Sequence, residues 1–174
     1  MTSPAKHAGS LSRAQPWAAL AIAAFPLHWA WEMLQAPLYG SMRSLTVWEA
    51  TRLCTVATVG DVAIGLVAYA AIGALARNRS WLFHLRPAGV TGYLAVGLAV
   101  TILLEILSIQ RWARWSYAPS MPRVLGVGIA PLAQWIIVPL LTIWVVRRYL
   151  ARGAVPLPNA AGGRDRDGRP RSST

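Results

Sequence analysis

The sequence predicts an all-α fold, an integral membrane four-helix bundle, from its composition and from the distribution of its apolar residues. Of its 174 residues, 55% are hydrophobic and only 13% are charged, which is more apolar than is usual for a soluble domain of this size. The apolar residues form four long blocks separated by short polar segments. A helix of about 20 apolar residues crosses the hydrocarbon core of a bilayer, so each block is long enough to span it.

The limits of the predicted spans follow from the apolar blocks and from helix start signals. Pro16 suits a first helical position, where its missing N–H has no helical partner in any case. Thr46 and Glu49 have the spacing of a capping box, which predicts that the second helix begins near Val47, before its membrane part. The four spans are predicted at residues 17–36, 53–75, 90–108 and 129–146.

The chain outside the spans is predicted to be short and polar. Residues 1–15 read as a flexible cytoplasmic arm, residues 16–152 as the transmembrane domain with short loops, and residues 153–174 as a disordered basic tail rich in Gly, Pro, Arg and Ser. A second interpretation stays open for the start of the chain. Lys6 and Arg13 precede a short apolar run, as in a signal peptide, although the apolar run continues well beyond the candidate cleavage site.

The distribution of basic residues predicts the orientation. The chain has 17 Lys and Arg residues and a formal net charge of +11. Most of them lie in the N-terminal arm, the second connection and the C-terminal tail, which share one side of a four-span bundle. The positive-inside rule places that side in the cytoplasm. The Arg-rich, Ala-rich composition is typical of a GC-rich bacterial genome, so we expect the inner membrane. No recognition motif accompanies the charge, so we expect no nucleic-acid partner.

Four ionisable side chains lie inside the predicted spans, His28, Glu32, Asp61 and Glu105, and a fifth notable polar group, the amide of Gln134, lies in the first turn of the last span. A charged group in hydrocarbon costs ~2.5–3.5 kcal/mol on insertion scales, so such side chains usually face a protein interior or a wet cavity. With a rise of about 1.5 Å per residue, all five fall in the outer half of the bilayer in the predicted orientation. We therefore expect them to line one polar pocket, a ligand or proton site.

Helical spacing supports this pocket. His28 and Glu32 are four residues apart and share one face of the first helix. Thr101, Glu105 and Ser108 follow a helical repeat on the third, giving a polar stripe suited to an interface between helices. The basic and aromatic residues that follow the third span are typical of the membrane interface. They predict a rim around the pocket, made of Arg111, Trp112, Arg114, Trp115 and Tyr117.

Several functions remain compatible with this pocket. Three carboxyl groups and a histidine in a low dielectric cannot all be charged at once, which favours a site that relays protons or binds a small cationic or polyol molecule. Four helices are few for a transporter, so transport implies a homodimer. An alternative is an intramembrane acid–base enzyme acting on a lipidic substrate, with catalytic candidates His28, Glu32, Asp61 and Glu105.

Two further interpretations give the polar residues no chemical role. They could serve packing and topology alone, or the chain could be a structural subunit that binds a membrane-complex partner through its small-residue faces. The sequence shows no phosphate-binding loop, no GxGxxG and no zinc-protease motif, so we expect no cofactor. A single membrane-embedded histidine is too few for the ligand set that catalytic zinc favours, so we expect no metal. On balance the sequence favours a protein without enzymatic activity.

Overall fold

The computed structural model describes residues 8–78, 81–82 and 84–153. It is mostly helical, as predicted, and the described residues form four long helices. α1 packs against α2 and α4, and α3 packs against the same two helices, so the four helices form a closed ring. The helices are α1 (Ala8–Gln35), α2 (Val47–Leu75), α3 (Pro87–Ile106) and α4 (Ile129–Gly153).

Three of the helical segments are long and apolar enough to cross a membrane: Val47–Leu75, Pro87–Arg111 and Ile129–Tyr149. These three apolar helices fit a membrane protein built from helices. The remaining predicted span is the first one, in α1, which is not among these three segments. That helix spans 28 residues, but it carries His28 and Glu32, which reduce its apolar character.

The helix limits differ from the predicted ones in several places. α1 begins at Ala8, so Pro16 lies inside the helix rather than at its first position. α2 begins at Val47, as its capping box predicts, with Glu49 N donating to Thr46 Oγ1 over 3.3 Å and Thr46 N donating to the Glu49 carboxylate over 2.8 Å. The predicted arm and tail lie outside the described residues, apart from 8–15 and Gly153.

The connection between α3 and α4 has more structure than the irregular loop that its prolines and glycines predict. A π-helical turn, Leu107–Arg111, extends α3. A short antiparallel hairpin follows, with β1 (Arg123–Val124) paired to β2 (Val127–Gly128). Its two turn residues, Leu125 and Gly126, have φ values of 51° and 84°. Positive φ at both positions is what a two-residue hairpin turn of type I′ requires.

The first and third connections meet at one end of the bundle. Gly40 N donates to Ser116 O over 2.8 Å, and Ala118 N donates to Leu38 O over 2.9 Å. Tyr39 lies opposite Tyr117 in the same pairing. We call this end, with its two connections of residues 36–46 and 112–128, the polar end. The backbone hydrogen bonds hold these two loops together at one end of the bundle, although they are far apart in sequence.

The opposite end of the bundle is apolar and aromatic. Trp81, in the second connection, is buried and donates its indole N–H to Tyr69 O over 3.2 Å. Its ring lies 5.5 Å from Tyr69 and 5.9 Å from Tyr93, centroid to centroid. Leu20 and Val146 complete the core there from α1 and α4. This packing holds the helices together at one end and leaves polar side chains concentrated at the other.

Candidate functional site

The side-chain amide of Gln134, near the start of α4, is the centre of a polar cluster. Its Nε2 lies 3.0 Å from His28 Nδ1, 3.1 Å from Glu32 Oε1 and 3.0 Å from Asp61 Oδ2. These partners come from α1 and α2, so the amide joins three helices. We call His28, Glu32, Asp61 and Gln134 the amide cluster. Four of the five side chains that the sequence singles out therefore lie in direct contact.

The amide cluster has more hydrogen-bond acceptors than Gln134 can serve. An amide nitrogen carries two hydrogens, whereas three acceptor atoms surround it. His28 Nδ1 also lies 3.5 Å from Asp61 Oδ2, and this contact becomes an ion pair when the imidazole is protonated. A proton on Nδ1 would be shared with Asp61 and would free the amide hydrogens for the two carboxylates. One proton thus decides which hydrogen bonds the cluster forms.

Gln35 extends the cluster along the same face of α1. Its Nε2 donates to Glu32 Oε1 over 2.8 Å and to Gln134 Oε1 over 3.2 Å. Its Oε1 accepts from Trp31 Nε1 over 3.2 Å. His28, Glu32 and Gln35 are spaced by four and three residues, which places them on one side of the helix. Two glutamine amides therefore fix the orientation of the Glu32 carboxylate.

Glu105 is held by a separate set of donors. Its side chain is buried and accepts from Tyr39 over 3.1 Å, from Tyr117 over 2.5 Å and from the Trp115 indole over 3.4 Å. All three donors belong to the polar end. Within the part of the chain that the structure describes, Glu105 forms no ion pair with an arginine, and it makes no direct hydrogen bond to the amide cluster.

The two tyrosines remain hydrogen-bond donors to Glu105. Burial raises the pKa of the Tyr39 hydroxyl above its ordinary value, and the neighbouring Glu105 raises it further. Burial likewise raises the pKa of Tyr117. Both phenols therefore keep their protons at physiological pH. Tyr117 also accepts a hydrogen bond from Gly128 N over 2.8 Å, which ties the hairpin to the Glu105 carboxyl group.

A cavity of about 500 Å³ lies between the amide cluster and Glu105. Glu32, Asp61, Glu105 and Gln134 all line it, so the cavity brings together carboxyl groups from α1, α2 and α3. Both connections of the polar end contribute to its walls. Its size falls within the range of about 300–1,000 Å³ that is usual for ligand pockets.

His28 does not line this large cavity. It lines a neighbouring cavity of about 10 Å³, together with Asp61, Tyr93 and Thr142. The Thr142 hydroxyl is buried and has no hydrogen-bond partner within the described part of the chain. Asp61 lines both cavities, so its carboxyl group stands between the large one and the small one.

Trp135, next to Gln134 on α4, forms part of the cavity wall. Its ring packs on α3 at Gly97, where a Cβ atom would stand only 2.0 Å from Trp135 Cε3. The His28 ring lies 5.6 Å away, centroid to centroid. The indole Nε1 is buried without a hydrogen-bond partner among the described residues. Gly97 is thus the position that allows α3 and Trp135 to approach.

The predicted rim residues are divided between two environments. Arg111, Trp112 and Arg114 are exposed, and the Arg114 guanidinium lies 5.9 Å from the centre of the Trp112 ring. Trp115 and Tyr117 turn inward to Glu105. The mixture of aromatic and basic residues in this segment indicates a membrane interface, but it does not predict which residues are exposed and which turn inward.

Tyr39, Gln35 and Trp135 also belong to the site. In the sequence, Gln35 extends the face that His28 and Glu32 share, and Tyr39 and Trp135 are expected to offer aromatic faces to a flat or cationic ligand. Periodicity does not predict the direction of the Tyr39 side chain, because Tyr39 lies in a connection. It also does not predict that the Trp135 ring packs on α3.

Within the described residues, no group of three or more His, Cys, Asp or Glu side chains is arranged to hold a metal ion. No family model matches the chain, and no curated protein or solved structure is significantly similar to it. The chemistry of the cavity is therefore the basis for assigning a function.

Proposed function

We propose that the protein binds a small molecule in the cavity between the amide cluster and Glu105, and that the acidic groups there exchange protons. The observation that carries this proposal is the convergence of carboxyl groups from three helices on one cavity. Buried carboxyl groups are expensive unless they are paired. Among the described residues, no buried Lys or Arg stands beside these three groups, which favours a role in binding or proton exchange.

Unused hydrogen-bonding capacity favours ligand binding over packing alone. Among the hydrogen bonds of the described residues, Glu32 uses Oε1 and Asp61 uses Oδ2, and the second oxygen of each carboxyl group takes part in none. The indole N–H of Trp135, another residue of the cavity wall, is also unpaired there. Buried polar groups are normally satisfied, so the Trp135 N–H favours a polar occupant, and the second oxygens of Glu32 and Asp61 remain available to accept hydrogen bonds from it.

The charge of the cavity favours cations and protons. Three carboxyl groups line it, and the basic residue among the lining side chains is Arg114, which is exposed and stacks on Trp112. Carboxylates that share a low-dielectric site cannot all remain ionised without compensation. A bound cation or an added proton supplies that compensation, and His28 provides a nearby group that can accept a proton.

We further propose four spans, with α1 crossing the bilayer, and both termini in the cytoplasm of a bacterial cell. The antiparallel ring of helices and the pairing of the first and third connections support this arrangement. Were α1 to lie outside the bilayer, its partners Asp61 and Gln134 would face hydrocarbon. The excess of basic residues on the side of the termini supports the orientation. The lipid bilayer would surround the exposed apolar faces of the helices. A second copy of the chain or another membrane protein would bind to part of the same faces.

An enzymatic role is the second candidate. His28 Nδ1 lies 3.5 Å from Asp61 Oδ2, so a proton can pass between these two groups, as general acid–base catalysis requires, and Gln134 holds the Glu32 carboxyl group beside them. The substrate would be lipidic, because the surrounding helices are apolar. Recovery of a chemically altered molecule from the cavity would favour this candidate over simple binding.

Native mass spectrometry tests the binding proposal. Wild-type protein extracted gently from membranes should carry a bound small molecule. The double variant Glu32→Gln/Asp61→Asn should carry about tenfold less, which corresponds to a loss of about 1.4 kcal/mol of binding free energy. Glu49→Gln is the matched control, because this carboxyl group is exposed outside the cavity and glutamine also fits a capping box.

Two results would contradict the proposal. A double variant that folds and retains the molecule as wild type does would separate the acidic groups from binding. The second result has three parts: the double variant does not accumulate in the membrane, Asp61→Asn and Glu105→Gln do not accumulate either, and wild type carries no bound molecule. Together these would assign the acidic residues to packing.

A further inference from the structure

We propose that the cavity is entered sideways from the bilayer, between α2 and α3, and that its occupant is an amphipathic ammonium compound with an apolar chain. This inference rests on the proposed function, and it adds the route of entry and the chemical class of the ligand.

The α2 side of the cavity is both part of its wall and part of the outer surface. Leu53 and Val56 line the cavity, yet 48% and 63% of their surfaces are exposed. Gly60, one turn further on, also lines the cavity and is exposed, and a Cβ atom there would meet nothing within 4 Å. Side chains that line the cavity and are also largely exposed mark the side on which the cavity opens outward.

The α3 side shows the same combination. Leu104 lines the cavity and is 39% exposed, while its neighbour Glu105 is buried. We call the gap flanked by Leu53, Val56, Gly60 and Leu104 the lateral opening. In a membrane these apolar edges face acyl chains, so the opening leads from hydrocarbon directly to the carboxyl groups.

The two helices approach each other closely toward the apolar end. There, a Cβ atom at Gly65 would stand 3.0 Å from the Tyr93 hydroxyl, and one at Gly92 would stand 2.8 Å from Ile72 Cδ1. The close contact between α2 and α3 therefore begins about one turn beyond Gly60. The lateral opening is thus confined to the polar half of the bundle.

The lining defines the class of occupant. An apolar entrance leads to Glu32, Asp61 and Glu105, so a molecule that fills both regions needs a cationic head and an apolar tail. A primary ammonium group also has three donors, which suit the unused oxygens of Glu32 and Asp61. Trp112 and Trp115 also line the cavity and provide aromatic rings, to which cations are attracted.

Binding of decylammonium to the protein in lipid nanodiscs tests the inference. The probes are decylammonium, ethylammonium and decyl sulfate, each measured by native mass spectrometry against wild type, Gly60→Phe and Val59→Phe. Gly60→Phe places a ring in the lateral opening. Val59→Phe puts the same ring on the neighbouring exposed position, which does not line the cavity. The comparison between variants is independent of how strongly each probe partitions into lipid.

We expect wild type and Val59→Phe to bind decylammonium, Gly60→Phe to bind it about tenfold more weakly, and neither ethylammonium nor decyl sulfate to bind comparably. Equal binding to Gly60→Phe and Val59→Phe, or binding of ethylammonium as tight as decylammonium, would overturn lateral entry while leaving the cavity a binding site. Preference for decyl sulfate would overturn the cationic class. Retention of decylammonium that is indifferent to Glu32→Gln/Asp61→Asn would instead contradict the proposed function itself.

Discussion

Gly97 is the residue at which the packing around the site leaves least room. Trp135 is almost fully buried, with 1% of its surface exposed, and its six-membered ring occupies the space where a side chain at Gly97 would begin. A larger residue there would displace a tryptophan that borders both the cavity and His28. The contact therefore couples the packing of α3 against α4 to the geometry of the amide cluster.

We predict that Gly97→Ala destabilises the protein. Overpacking of a filled core typically costs about 1–3 kcal/mol, and here the ring of Trp135 must move. Thermal unfolding in a mild detergent measures the effect, with Gly60→Ala as the control, since a methyl group there meets no other atom. Equal unfolding temperatures for the two variants would show that Trp135 relocates freely.

Residue spacing predicts part of the site and fails at the rest for a physical reason. A helix repeats every 3.6 residues, so the spacing of His28 and Glu32 correctly indicates that they share a face. The same argument cannot say which atoms meet, because that depends on how the helices are rotated against one another. The central position of Gln134 between its three acceptors is a product of that packing.

At the scale of elements, the third connection does more than join α3 to α4. The segment before its hairpin provides two of the three donors to Glu105, Trp115 and Tyr117, and Tyr117 links that carboxyl group to the backbone of Gly128 in the hairpin. Composition predicts an irregular interfacial loop here, since proline, glycine and aromatic residues give no periodic signal. The backbone pairing with the first connection fixes its course, and such pairing between distant loops cannot be predicted from local sequence.

We predict that Tyr117→Phe lowers the free energy of unfolding by about 1–3 kcal/mol, the usual cost of leaving a buried acceptor without its donor. The tyrosine ring is retained in shape, so the change isolates the hydroxyl group. Tyr149→Phe is the control, because that ring is 70% exposed on α4. Chemical unfolding in detergent gives both values. The double variant Tyr117→Phe/Glu105→Gln should lose less stability than the sum of the losses of the two single variants. Strict additivity would contradict a direct contact.

At the scale of the whole molecule, the bundle has two dissimilar ends. One is stabilised by aromatic packing around Trp81, and the other contains the cavity and its polar groups. Hydropathy predicts the helices well, because a long apolar stretch of sequence is suited to a helix surrounded by lipid and by other helices. It is less informative for α1, where the residues that build the site are the ones that reduce the apolar signal.

We predict that Ser44, in the first connection, faces the periplasm while Ala76 and an N-terminal tag face the cytoplasm. In a Cys54→Ala background, a membrane-impermeant maleimide should label Ser44→Cys in intact cells and label Ala76→Cys only after lysis. Both positions are exposed in the structure. If the N-terminal tag and Ser44 lie on the same side, α1 does not cross the bilayer, and labelling of Ala76→Cys in intact cells would invert the orientation.

The unequal count of hydrogens and acceptors around Gln134 has a consequence for how the protein can respond to its surroundings. With three atoms competing for two hydrogens, several bonding patterns of similar energy are available without any shift of the backbone. A ligand that satisfies one of the carboxyl groups changes which pattern is preferred on all three helices at once. Occupancy of the cavity would then be communicated to the bundle by redistribution of hydrogens alone.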